Sequence, residues 1–201
     1  MMPKRWIRPL AAGFLLLMVG CAEKKTSSQS AASTVPERQP TPSWQAYVDS
    51  LTLEKQRAIL SRLLAVAEKE GWGGAVRYCH AAAETLTTYQ DAQITLQRVA
   101  LRNRNPKNAL ADSLDRAAYN HFLETRAQQS LVWEVGQGVL RYYRPIYVAM
   151  PQCLKCHGGA QDLDGPALAQ IRRLYPGDKA TGFAQGDLRG LWKATLRTQK
   201  P

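Results

Sequence analysis

The sequence predicts an α+β domain, and three observations carry that prediction. Apolar residues recur at helical spacing through the first half of the folded region and at a period of two through much of the second. Helices first and antiparallel strands later is the α+β pattern. The third observation is a shift in composition. Residues 22–43 are rich in Ser, Thr, Gln and Pro with almost no large apolar side chain, so they read as a tether and leave residues 44–201 as the folded part. That length is enough for one domain with its own core.

Taken in order, Asp49 or Ser50 can cap a first helix, in which Leu53, Ile59, Leu60, Leu63, Leu64 and Ala67 recur until Gly71 stops the run. Gly71-Trp72-Gly73-Gly74 reads as a turn, and residues 75–86 as a second, Ala-rich helix carrying Cys79 and His80. Alternation around Ile94, Leu96 and Val99 predicts a strand, and Arg102-Asn103-Arg104-Asn105-Pro106 a loop. Residues 110–126 follow as a helix with Leu114, Ala117, Ala118, Phe122 and Leu123 as its stripe. Residues 130–135 and 139–148 make a hairpin about Gly136-Gln137-Gly138, and Met150-Pro151 breaks its second strand. Residues 167–174 read as a short helix, Tyr175-Pro176-Gly177-Asp178 as a turn, and residues 188–196 as a final strand. There is no internal repeat.

Between the hairpin and the last helix lies Cys153-Leu154-Lys155-Cys156-His157. A C-x-x-C-H run in an exported protein is the attachment site of a c-type haem. The two thiols add to porphyrin vinyl groups as thioethers, and the adjacent His offers its imidazole to the iron. A redox disulfide or half of a zinc site are the alternatives. Zinc would need a second ligand pair, and the candidates are Cys79, His80 and His121. Gly158-Gly159 after the motif would let backbone pass close to the ring edge. His121, with no partner at metal spacing, reads as structural.

Export is itself a reading of the sequence. Residues 1–20 form a signal segment, with Lys4, Arg5 and Arg8 ahead of an apolar run at 10–19 that is short for a membrane span. Leu17-Met18-Val19-Gly20-Cys21 resembles a bacterial lipobox, with Met18 where Leu is usual, which makes Cys21 the lipidation candidate. Ordinary secretion is the alternative. The expected location is the periplasmic side of a bacterial membrane, held by a lipid anchor. Exported chains usually pair their thiols. With Cys153 and Cys156 on haem and Cys21 on lipid, Cys79 is left over. It is either a small buried hydrophobe or a ligand for the sixth position of the iron. The net charge of +11, less the three cations of the signal, suits an anionic membrane surface or an acidic redox partner and would offset haem carboxylates. An exported chain without a nucleic-acid motif is not expected to bind nucleic acid.

Several segments together resemble a known family. They are Tyr78-Cys79, Arg104-Asn105-Pro106-Lys107-Asn108, Arg141-Tyr142-Tyr143-Arg144-Pro145-Ile146, the haem motif with Gly158, Tyr175-Pro176-Gly177-Asp178-Lys179-Ala180, and Gly186-Asp187-Leu188-Arg189-Gly190. Across residues 56–196 the chain resembles the PAS-like periplasmic domains with a single c-type haem, found alone and in sensor histidine kinases. It departs after Asn108, where that family continues with Pro and then Glu. The resemblance implies a PAS-like antiparallel sheet flanked by helices. It also implies an iron held between His157 and Cys79, with His80 as the local competitor. Arg141, Arg144, Tyr142 and Tyr143 read either as groups beside the haem or as cross-strand packing. Arg102, Arg104 and Lys107 read as a solvated basic cluster.

Three functions compete. The first is a redox or small-ligand sensor, in which reduction releases Cys79 and opens a site for a diatomic gas. The second is a membrane-tethered electron carrier that keeps both iron ligands. The third is an enzyme, for which the sequence offers no distal catalytic His/Arg pair. The reading favours the sensor over the carrier and does not favour an enzyme. Its partners would be the membrane and a redox or signalling protein.

Overall fold

Pro42 opens the first helix, where a residue without an N–H and with a preset φ fits the first turn. The computed structural model describes residues 42–198. The signal segment, Cys21 and the tether up to residue 41 lie outside the described residues.

Helix α1 runs Pro42–Thr87 and is broken once, at Gly71, where φ is 72° and ψ 178°. Those angles are open essentially to glycine alone. The expected four-residue turn is therefore a one-residue break, because Trp72, Gly73 and Gly74 already belong to the resumed helix. The helix also begins before Asp49, which is not a cap. Its carboxylate instead accepts the Tyr142 hydroxyl at 2.6 Å and so ties the start of α1 to the sheet.

Five strands form one antiparallel sheet in the order β1-β2-β5-β4-β3. They are β1 (Tyr89–Gln90), β2 (Ile94–Val99), β3 (Leu131–Gly136), β4 (Val139–Tyr147) and β5 (Leu188–Arg197). The hairpin β3–β4 turns through Gly138 at φ 69°, a left-handed angle that glycine adopts freely. On one face Ile94, Leu96, Leu140, Tyr142, Trp192, Ala194 and Leu196 pack with Val48 of α1. On the other, Val99, Tyr143, Leu188 and Leu191 pack under Ala118, Tyr119 and Phe122 of helix α2 (Ser113–Thr125). Asp112 caps α2 by accepting the Asp115 N–H at 2.8 Å, so this helix starts three residues later than its apolar pattern implied.

Beneath the α2 face sits a buried polar network. The fully buried Asp115 accepts from Tyr143 Oη at 2.7 Å, Lys193 Nζ at 2.7 Å and Arg141 Nη1 at 3.2 Å. Two short helices complete the domain, α3 (Pro151–His157) and α4 (Gly165–Leu174), and α4 packs against α1. The architecture is the expected α+β, PAS-like sheet flanked by helices.

Candidate functional site

Helix α3 is the haem motif itself. Met150 is extended, Pro151 opens the helix, and seven residues later Gly158 ends it. Cys153 and Cys156 are three apart, so they share a helical face. Both are free thiols, Cys156 buried and Cys153 half-buried. Burial pushes the Cys156 thiol up to about 11. A Cβ on Gly158 would lie 2.5 Å from Cβ of Asp162 and 2.7 Å from the Leu154 carbonyl oxygen. The glycine thus serves the fold-back of the chain against its own helix.

His157 is oriented by a strap formed of residues 178–183. Its Nδ1 lies 2.7 Å from the Ala180 carbonyl oxygen. A carbonyl can only accept, so Nδ1 carries the hydrogen and Nε2 keeps its lone pair. The strap is fixed on both sides of this bond, because Phe183 N–H donates to the His157 carbonyl at 2.9 Å and Gly182 N–H to that of Gly158 at 2.7 Å. Burial, with the Arg189 and Arg104 charges, holds the imidazole well below its ordinary value, so it is neutral. Arg189 Nε sits 3.3 Å from Nδ1. With the hydrogen already on Nδ1, that contact is an approach of charge and not a hydrogen bond.

Arg104 is not the solvated residue that its basic neighbourhood implied. Its side chain is 13% exposed and pairs with Asp178, 8% exposed, at 3.0 Å. It also donates to the carbonyls of Cys156 at 2.6 Å and Ala180 at 3.3 Å, joining the strap to α3. Arg102 stacks on Phe183 at 4.0 Å and donates to the carbonyls of Lys179 and Thr181. Of that trio only Lys107 is a surface group, paired with Glu84 at 2.9 Å.

Above α3 lies a cavity of about 460 Å³, within the usual range of small-molecule sites. Cys79, His80, Cys153, Cys156 and His157 all line it, together with apolar side chains such as Leu60, Leu63, Trp72 and Val76. Both segments of α1 reach it, from Gln56 to Glu84. A straight helix over that stretch would span roughly 42 Å at 1.5 Å per residue. The break at Gly71 is what brings both segments to one cavity. Cys79 is half-buried and His80 exposed, its ring edge-on to Tyr175 at 5.1 Å. Burial raises the Cys79 thiol, against the opposing charges of Arg98 and Arg104. Among the described residues no group of three or more His, Cys, Asp or Glu is placed to hold a metal ion, so a zinc site lacks its ligand set.

Sequence reasoning missed two cations. Arg98 lies on the α1 face of β2, in register with Trp192, and lines the cavity with its Nε buried and unpartnered. Arg189 lines it through a bulge. Ile146 pairs with Gly190 and Tyr147 with Leu188, which leaves Arg189 as the extra residue. A bulge re-aims its side chain, here into the cavity wall beside His157. By contrast Arg141 and Arg144 are packing groups, paired with Asp112 at 3.0 Å and Asp49 at 3.5 Å, and neither lines the cavity. Tyr142 and Tyr143 are fully buried and bonded to Asp49 and Asp115. His121 packs edge-on against Phe122, away from the site.

The family described as Tll0287-like matches residues 28–196. The chain belongs to the Tll0287-like family. The crystal structure of the cyanobacterial haem protein Tll0287 is similar at 24% identity with a TM-score of 0.57, over 81% of this chain and 99% of that one. That likeness shows a shared fold. Among curated proteins none matches the chain. In this chain the α3 motif, with His157 oriented by the strap, and Cys79 of α1 line one cavity.

Proposed function

We propose that the chain is an exported, lipid-anchored protein carrying one covalent haem, which senses redox state or a small diatomic ligand on the periplasmic side of a bacterial membrane. The observation that carries this reading is that two motif thiols, one imidazole with a free Nε2 and one further thiol line a single cavity. The cavity fits the group in chemistry as well as size. Its lining mixes apolar side chains with polar ones, and Gln56 Oε1 and Arg98 Nε, on two of the lining residues, are buried without partners, so a polar-edged occupant is called for. The solved relative is named a haem protein.

Cys153 and Cys156 would hold the haem as thioethers, and His157 Nε2 and Cys79 Sγ would be its axial ligands. Bound haem supplies a one-electron couple whose potential the axial ligands set. Cys79 is preferred to His80 because neighbouring helical residues point about 100° apart and only one can face the iron. Of the two, Cys79 is the half-buried one. Burial raises its thiol, so a Cys79 sulfur free of metal keeps its proton at neutral pH. Two states of one sulfur, metal-bound and protonated, are the element a switch requires. The Ala180 carbonyl meanwhile holds His157 in one tautomer and one orientation.

Electron transfer without ligand exchange is the second reading, and the seating of α1 favours it. A Cβ on Gly73 would meet Pro166 at 3.2–3.3 Å, so the segment carrying Cys79 packs tightly on α4. The anchor and the basic charge serve either role, with an acidic redox or signalling partner at the membrane surface.

Haem staining on a denaturing gel tests attachment. Wild-type protein stains, and Cys153→Ala with Cys156→Ala does not. Staining that survives the double substitution would contradict the proposal. Reduction then separates the two readings, because loss of the thiolate spectrum supports the sensor and its retention the carrier.

A further inference from the structure

We infer that Arg98 and Arg189 form a two-point carboxylate site that holds the propionate edge of the haem. The inference rests on the haem reading above and adds residues that reading does not assign. Its basis is a charge imbalance in the cavity wall. Three guanidinium groups line the cavity, those of Arg98, Arg104 and Arg189. Arg104 is balanced by Asp178 at 3.0 Å. The one acidic residue in the lining, Glu84, is tied to Lys107 at 2.9 Å. Two cations are therefore left without a carboxylate.

Both are partly buried, and neither has an acidic partner among the described residues. Arg98 Nε is buried with no hydrogen-bond partner, and a buried charged donor left unpaired is destabilising by more than a neutral one. Arg189 donates from Nη1 to the Arg102 carbonyl at 3.1 Å, which supplies an acceptor but no countercharge. A haem carries two carboxylates on one edge, so its charge equals the imbalance. Planar guanidinium forks match carboxylates in a way that a lysine would not. The placement of the thiols agrees. Cys153 and Cys156 come from α3, whereas Arg98 and Arg189 come from β2 and β5, so the thiols and the guanidinium groups reach the cavity from different elements.

The test is resonance Raman spectroscopy of ferric holoprotein, read at the propionate bending band, which responds to hydrogen bonding at those carboxylates. The variants are Arg98→Gln, Arg189→Gln and Arg98→Lys, with Arg144→Gln as a control outside the cavity. The inference expects both glutamine variants to shift the band, Arg98→Lys to shift it less, and the control to leave it in place. An unshifted band in Arg98→Gln and Arg189→Gln, with haem attached in normal yield, would overturn it. If Arg189→Gln yields no holoprotein, Arg98→Gln against Arg98→Lys decides alone. A pyridine haemochrome spectrum of the wild type reports separately on the haem reading itself, so the two failures are distinguishable.

Discussion

His157 donates its Nδ1 hydrogen to the carbonyl oxygen of Ala180 across 2.7 Å, and the second contact of that nitrogen is with a cation, Arg189, at 3.3 Å. Histidine ligands commonly lean on a carboxylate, which raises their basicity. Here the partner is a neutral carbonyl beside a positive charge, so His157 is a neutral imidazole without imidazolate character. The strap that presents Ala180 is thus as much part of the site as the motif.

The strap is held by the Arg104–Asp178 pair, and its removal is the first prediction. Asp178→Asn leaves Arg104 buried without its countercharge, and breaking such a pair is destabilising by about 3–5 kcal/mol. Thermal unfolding of holoprotein should show that loss, with a weakened His157 signature in the absorption spectrum. Wild-type stability and spectrum would contradict the strap's role.

Much of this site was legible in the sequence, and the rest was not for definite reasons. Cys153, Cys156 and His157 follow from local spacing, and Cys79 from being the odd thiol of an exported chain. Gly71 was legible as an interruption, though not as a single-residue break. Arg98, Arg104 and Arg189 were missed as a group because they come from β2, a loop and a bulge, and only long-range pairing brings them together. Composition flagged Arg141 and Arg144 equally well. Strand parity separates them: Arg141 shares the α2 face with Tyr143, while Arg144 shares the other with Tyr142, and each finds an acid outside the cavity.

The break in α1 gives the second prediction. Gly71 has nothing within 4 Å of a built Cβ, so Gly71→Ala meets no steric obstacle and its whole effect is on backbone conformation. The cost is about 1–3 kcal/mol. The variant should be destabilised by that amount in urea, and a helix that straightens to escape it should withdraw Cys79 from the cavity. A neutral Gly71→Ala with unchanged spectrum would contradict the part assigned to the break.

A third prediction concerns the buried network under α2. Asp115→Asn leaves Lys193 and Arg141 facing a neutral group in a buried site, at about 3–5 kcal/mol. Because neither Asp115 nor its partners Tyr143, Lys193 and Arg141 line the cavity, the spectrum of the folded fraction should not change. A spectral shift at full stability would show that the network reaches the haem site.

Acid sensitivity follows from Asp112. Burial alone would raise its carboxyl, but the Asp115 N–H, the Arg141 guanidinium and the Lys193 charge outweigh that and hold it below its ordinary value of about 3.9. A carboxylate depressed by folding contributes stability that is fully present above the unfolded value and is lost as pH falls through the lower folded one. Asp112→Asn keeps a capping side chain and removes the charge. It should be less stable than wild type at pH 7, with the difference shrinking as the pH drops below about 4. A difference independent of pH, from urea midpoints across that range, would refute the assignment.

The most direct measurement is the absorption spectrum of holoprotein, ferric and then ferrous, beside that of Cys79→Ala. The account predicts thiolate features in the ferric wild type, their absence from the variant, and loss of the thiolate ligand when the wild type is reduced. A Cys79→Ala spectrum identical to wild type would contradict it, and would move the sixth position to His80.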